Sequence, residues 1–195
     1  MSFKRFISRT FQKFSRWQMD VEPLPPKAIL IGAPHTSNWD AVYMIVAFWD
    51  VGRDLRFLVK NSIINGPIGP IARAVGGVGV DRNSNHGLVQ SIAEQARKAS
   101  DFTLCVTPKG TRGRREFWES GFYHMAYEAG IPVVFGFVDS TTKRYGWKGS
   151  MMLTGNMEED MNKIRAFYAD KVGVKPELTC VPRLRNESPI EETRS

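Results

Sequence analysis

The chain is expected to be an α/β protein: a single domain with a central, largely parallel sheet flanked by helices, preceded by a basic amphipathic N-terminal helix. Three observations lead there. From residue 27 onward, apolar runs of strand length alternate with amphipathic runs of helix length, the pattern of strand–helix–strand units. The segment before residue 21 carries aromatic residues at helical spacing and stops against a proline cluster. At 195 residues, 42% hydrophobic and 24% charged, the composition is that of one globular domain with a full core.

The first element is MSFKRFISRTFQKFSRWQ. Phe3, Phe6, Ile7, Phe11, Phe14 and Trp17 form one apolar stripe, and Lys4, Arg5, Arg9, Lys13 and Arg16 occupy the remaining faces. Aromatic rings entering the acyl boundary while cations meet anionic head groups describe a helix lying in a membrane interface. The alternative is a helix docked on the domain's own core with solvated cations. Five positive charges, with Asp20 only at the end, favour the interface for residues 1–20. VEPLPPK (21–27) then breaks the helix, because three prolines cannot continue it.

The expected domain spans 27–185. KAILIGA (27–33) is a strand, and a helix follows from about Asn38 to Trp49. LRFLV (55–59) is a strand; GPIGPIARAV (66–75) is a loop leading into a short helix; GGVGVD (76–81) is a short strand. HGLVQSIAEQARKA (86–99) is an amphipathic helix with Val89, Ile92, Ala93 and Ala96 on one face. DFTLCVT (101–107) is a strand, 119–129 a helix and IPVVFGFVD (131–139) a strand. A last helix starts at a cap on Asn156 and turns Met157, Met161, Ile164 and Tyr168 inward. NESPIEETRS (186–195) is polar enough to be a flexible tail.

Charge and cysteines narrow the function. The net charge of +7 calls for a polyanionic partner: a membrane surface, a phosphate-bearing substrate or nucleic acid. The N-terminus lacks a continuous apolar h-region, so no cleavable signal peptide is expected. No apolar run approaches the roughly 20 residues of a membrane span. AVYMIVAFW (41–49) is a buried helix instead. Cys105 and Cys180 form no CxxC and are expected to stay reduced, Cys105 as a core residue. The expected location is the cytoplasmic face of a membrane, peripherally bound. His86 and His124 have no ligand-like neighbours, so no metal site is expected, and neither a GxSxG elbow nor a Walker A sequence is present.

The chemistry concentrates in APHTSNWDAV (33–42). His35 directly follows a strand, where α/β folds gather functional groups. Ser37 with Asp40 three residues on also fits a capping box, in which Asp40 serves only helix donors. Without a protein nucleophile nearby, a His–Asp pair makes sense when the nucleophile arrives on the substrate. His35 then removes a proton from a substrate hydroxyl as general base, and Asp40 fixes the tautomer and stabilises the imidazolium. Two further loops follow strands: GGVGVDR ends in Arg82, and VTPKGTRG carries Lys109, Gly110, Thr111 and Arg112. Guanidinium groups and turn N–H donors there suit phosphate, although each loop alone also reads as a β-turn with solvated cations.

Taken together these residues resemble the glycerophospholipid acyltransferases, typified by lysophosphatidic acid acyltransferase. His35-Thr-Ser-Asn-Trp-Asp40 resembles that family's H-x4-D block, Gly77-Val-Gly-Val-Asp-Arg82 its second block, Pro108-Lys-Gly-Thr-Arg112 its E-G-T-R block and Ile131-Pro-Val-Val134 its fourth. Lys60, Gly121 and Phe122 also sit where such sequences often carry those residue types. The resemblance implies transfer of an acyl group from acyl-CoA or acyl carrier protein, as co-substrate with no cofactor, to a lysophospholipid hydroxyl. His35 and Asp40 would be catalytic. Arg82, Lys109, Gly110, Thr111 and Arg112 would hold phosphate. Lys109 stands where the family usually has glutamate. A lysine only donates, which points to a different acceptor, such as a more anionic head group or a lyso-amino-acid lipid. A non-catalytic phospholipid-binding protein of the same fold is the second reading. A nucleic-acid-binding domain ranks last and no nucleic acid is expected, because the cations cluster with phenylalanines rather than in a reading motif.

Overall fold

The computed structural model describes residues 2–80 and 85–187. One seven-stranded sheet organises them: β1 (Gln18–Val21), β2 (Lys27–Ala33), β3 (Arg56–Lys60), β4 (Gly77–Val80), β5 (Phe102–Val106), β6 (Val133–Asp139) and β7 (Arg144–Met151), in the spatial order β1-β7-β6-β2-β5-β3-β4. β6, β2, β5, β3 and β4 are parallel, while β7 runs antiparallel to β6 and β1 parallel to β7. The single α/β domain of the sequence reading is therefore observed, with a largely parallel sheet.

Helices cover both faces. α1 (Phe3–Phe14) and α2 (Trp39–Val51) lie on one. α5 (Asn85–Lys98), α6 (Gly121–Ala129) and α7 (Met157–Tyr168) lie on the other, and two short helices, α3 (Asn61–Ile64) and α4 (Gly69–Ala74), sit between β3 and β4. β2 shows why the strands read as unbroken apolar runs. Ala28 and Leu30 join Tyr43, Ala47 and Phe48 in the core under α2, whereas Ile29, Ile31 and Ala33 join Phe122, Met161 and Ile164 on the opposite side. A strand covered on both faces has no polar alternation to offer. Burying each large side chain there is worth about 1.5–3 kcal/mol.

The last helix forms as expected: the Asn156 side chain accepts from the Glu159 N–H, and Met161, Ile164 and Tyr168 are buried, with Met157 packed against the same core. Two strands escaped the sequence reading. β1 occupies residues assigned to the end of the first helix and the proline break, and β7 occupies GW-rich sequence left unassigned. Their pairing explains both. Gly146 has φ 146°, and a Cβ there would lie 2.0 Å from the Asp20 carbonyl oxygen, so only glycine lets β1 close on β7. Of the tail expected at 186–195, residues 188–195 lie outside the described residues.

α1 departs from its expected form in a telling way. It ends at Phe14, so Trp17 is not part of it. Trp17 and Phe11 instead pack on Tyr43 of α2, at ring-centroid distances of 4.7 and 6.0 Å. Ser8 is fully buried and its Oγ donates to the Val46 carbonyl at 2.9 Å. The docked face of α1 thus runs along one side of the apolar stripe, through Ser8 and Phe11. Phe3, Phe6 and Phe14 remain 76%, 57% and 79% exposed, while Ile7 is half-buried.

Candidate active site

Because β2, β3, β5 and β6 run parallel, their carboxyl ends open on one edge of the sheet, where open α/β sheets hold ligands. β2 ends at Ala33 and the chain turns at Pro34 into α2. His35 takes φ 50°, the left-handed region. A non-glycine residue pays about 1–3 kcal/mol for that conformation and keeps it only where the surroundings over-determine it. Here they do. The Asp40 Oδ2 atom accepts from the N–H groups of Thr36 at 2.7 Å and Ser37 at 2.9 Å, while Ser37 Oγ accepts from the Trp39 N–H at 3.2 Å. Half of the capping box is therefore realised: Asp40 reaches back to the Ser37 N–H and holds the entry to α2, but the helix N-cap is Asn38, which makes no side-chain cap bond, and Ser37 Oγ takes the Trp39 rather than the Asp40 N–H.

It also faces the histidine. His35 Nδ1 lies 3.6 Å from that same Oδ2 atom, and both side chains are mostly buried. Asp40 Oδ1 is buried and has no hydrogen-bond partner among the described residues. Burial pushes the Asp40 carboxyl above its ordinary pKa, and the N–H groups of Ser37 and Thr36, then the cations Lys109 and Arg112, pull it only part of the way back. The capping and pairing roles are not exclusive, because one carboxylate has acceptor sites enough for both.

The pair opens into a cavity of about 440 Å³, within the range of small-molecule sites. Gly110, Thr111, Arg112 and Lys60 contribute its polar rim, and Met44, Ile45, Leu55, Phe57, Ile63 and Phe137 much of its apolar wall. Cys105 also lines it, but burial pushes its thiol pKa up to about 12, which suits the core role read from the sequence rather than a nucleophile.

Lys109 departs from expectation. It was placed with the phosphate-binding residues, yet it does not line the cavity. Its side chain is 1% exposed, and Nζ donates to the Leu178 carbonyl at 2.7 Å. The turn explains this: the Gly110 N–H closes back on the Thr107 carbonyl at 2.9 Å, and Gly110 takes φ 71°. That reversal sends Lys109 inward and presents Thr111 and Arg112 to the cavity. Arg82 lies outside the described residues.

The acyltransferase family model matches residues 19–134, more than half of the chain, with the His35–Asp40 loop and the Lys109–Arg112 turn inside it.

The chain belongs to the acyltransferase family.

A relative in Mycoplasma pneumoniae described as a probable 1-acyl-sn-glycerol-3-phosphate acyltransferase is 33% identical over 119 residues. That stretch is 58% of this chain but 45% of the relative, so the chain spans about half the length of the protein it matches. The crystal structure of the 1-acyl-sn-glycerophosphate (LPA) acyltransferase PlsC from Thermotoga maritima superposes with a TM-score of 0.53 over 86% of this chain and 78% of that one, at 15% identity. This last likeness is one of fold. What sequence reasoning missed in this candidate site is its apolar wall and the C-terminal segment behind it. The wall residues come from α2, β3 with Leu55 just before it, α3 and β6, and no local pattern marks residues that meet only through the sheet.

Proposed function

We propose that this acyltransferase-family chain transfers a fatty acyl group from the thioester of acyl-CoA or acyl carrier protein to the hydroxyl of a lysophospholipid of the lysophosphatidic acid type. The observation that carries the reading is a His–Asp pair at the mouth of an apolar cavity whose rim holds Arg112, Thr111 and Gly110. The acceptor hydroxyl gives its proton to His35 as its oxygen attacks the thioester carbonyl; the carbon–sulfur bond breaks and the proton returns to the departing thiolate. Asp40 orients the imidazole and stabilises its charged form. No acyl-enzyme is needed. The acyl chain lies along Met44, Ile45, Leu55 and Phe57, and the acceptor phosphate sits against Arg112 and the turn N–H groups, joined by Arg82 as read from the sequence.

Because Lys109 faces inward, it adds no charge to the acceptor side. Acceptor preference falls to Arg112, Thr111 and Lys60. Membrane attachment is assigned to α1, whose exposed Phe3, Phe6 and Phe14 stand beside Lys4, Arg5 and Lys13. Among the described residues no helix is long and apolar enough to cross a membrane; the attachment proposed through α1 is a peripheral one, on the cytoplasmic face.

The deciding measurement is acceptor-dependent release of free thiol from acyl-CoA or acyl carrier protein, for wild type and His35→Ala, against a panel of lyso-lipids. Turnover with at least one acceptor is expected, falling about 10²–10⁴-fold in the variant at an unchanged fold. Turnover retained in folded His35→Ala would sink the mechanism. Vesicle binding with no thiol release from either donor would favour a non-catalytic lipid-binding role.

A further inference from the structure

Lysine is almost never fully buried without a partner, because its ammonium loses hydration that a core does not replace. Lys109 is 1% exposed. Its Nζ donates to the Leu178 carbonyl at 2.7 Å, in the short 3-10 turn Pro176–Leu178 near the end of the chain. That segment does not merely trail past. The Lys175 N–H donates to Thr36 Oγ1 at 3.0 Å, and a Cβ built on Gly173 would come within 2.5 Å of the same oxygen. Thr36 is the residue whose own N–H holds Asp40 at 2.7 Å. A continuous set of contacts therefore runs from Lys109 through residues 173–178 to Thr36 and Asp40.

We propose that Lys109 is a positioning residue: it fastens the C-terminal segment to the back of the catalytic loop and places a fixed cation behind the His35–Asp40 pair. The role rests on the acyl-transfer reading only for its effect on turnover. Asp40 is faced by His35 from its own loop, by Tyr43 from α2, and by Lys109 and Arg112 from the turn after β5, with Cys180 beside Lys109. Arg112 is exposed on the cavity rim, where solvent screens it; Lys109 is not. Burial lowers the Lys109 ammonium's own pKa, with Cys180 and Asp40 opposing that shift; in its charged form Lys109 in turn opposes the burial that raises the Asp40 carboxyl. Without that cation, the coupled His35–Asp40 pair as a whole releases its protons at higher pH.

The test reads His35 directly and needs no lipid substrate. Diethyl pyrocarbonate modifies a histidine only through its neutral imidazole, so the pH dependence of modification at His35 itself, followed by peptide mass spectrometry, gives its titration midpoint. In Lys109→Met and Lys109→Gln the midpoint is expected to rise by at least about half a pH unit. Gln keeps a donor for the Leu178 carbonyl and serves where the Met variant does not fold. Thr179→Val removes the hydroxyl that accepts the Gly173 N–H at 3.0 Å within the segment; it should lower thermal stability and leave the midpoint in place. An unmoved midpoint in a folded Lys109 variant, or an equal movement in Thr179→Val, overturns the proposal. Run in parallel, acyl transfer should lose about tenfold in kcat with KM for lysophosphatidic acid within about twofold. A midpoint that moves in a protein without acyl transfer would remove the function and keep the positioning role.

Discussion

Asp40 shows how one side chain can satisfy a helix and a histidine together. Its Oδ2 atom anchors two N–H groups of the loop, faces His35, and leaves Oδ1 buried without a described partner. The raised pKa means the fold penalises the ionised form. Its stabilising contribution is therefore present in acid, below the unfolded pKa, and is lost as the pH rises through the folded value. Asp40→Asn keeps an acceptor for the loop without a charge to desolvate. Its melting temperature near neutral pH should equal or exceed that of wild type, while turnover falls about 10²–10⁴-fold. A destabilised Asp40→Asn protein would show that the carboxylate is mainly a helix anchor. The loop contacts were legible because Ser37 and Asp40 are three residues apart. The inward turn of Lys109 was not, since it is decided by Leu178, far along the chain.

At the scale of the element, α1 divides its aromatic residues between two jobs. Phe11 packs on Tyr43 of α2, whereas Phe3, Phe6 and Phe14 face out. The sequence shows six apolar positions at one spacing and cannot separate them, because the helix docks through Ser8, off the stripe's centre. The separation is measurable. Replacing Phe3, Phe6 and Phe14 together by serine should weaken binding to anionic vesicles at least about tenfold with little change in melting temperature. Phe11→Ser should do the reverse, costing about 1–3 kcal/mol of stability and little vesicle affinity. If the triple variant sediments with vesicles as wild type does, the membrane surface lies elsewhere. β7 makes a similar point. Its antiparallel course follows a tight turn at Thr141–Lys143, and neither Gly146 nor Gly149 announces a strand.

Across the molecule, Asp139 ties together pieces that sequence keeps apart. At the end of β6 and 2% exposed, it accepts from the N–H groups of Thr141 at 3.1 Å and Thr142 at 3.3 Å, and from that of Val172 in the C-terminal segment at 3.2 Å. Burial alone would raise its pKa, but the Thr142 hydroxyl and these N–H groups outweigh burial and hold it below the ordinary carboxylate range. Its contribution is present above the unfolded value of about 3.9 and disappears as the pH falls through the lower folded value. Asp139→Asn should cost about 1–3 kcal/mol at neutral pH, a deficit that shrinks in acid as the wild-type carboxyl protonates. Chemical denaturation at a series of pH values checks this, and a deficit independent of pH would mean that shape rather than charge holds the junction.

The sequence by itself determined the α/β class, the parallel strands that place functional groups at one sheet edge, the N-cap of the last helix and a resemblance to the family. Those features are local: alternating periodicity, a cap residue, a histidine just past a strand. Tertiary structure alone decided which aromatics of α1 are docked, that β1 and β7 extend the sheet in the opposite direction, that an apolar wall from four elements lines the cavity, and that Lys109 supports the site from behind. Each of these depends on a partner distant in the chain. Side-chain direction at a turn is set by what closes over it, and the residues that close over Lys109 come from the other end of the domain.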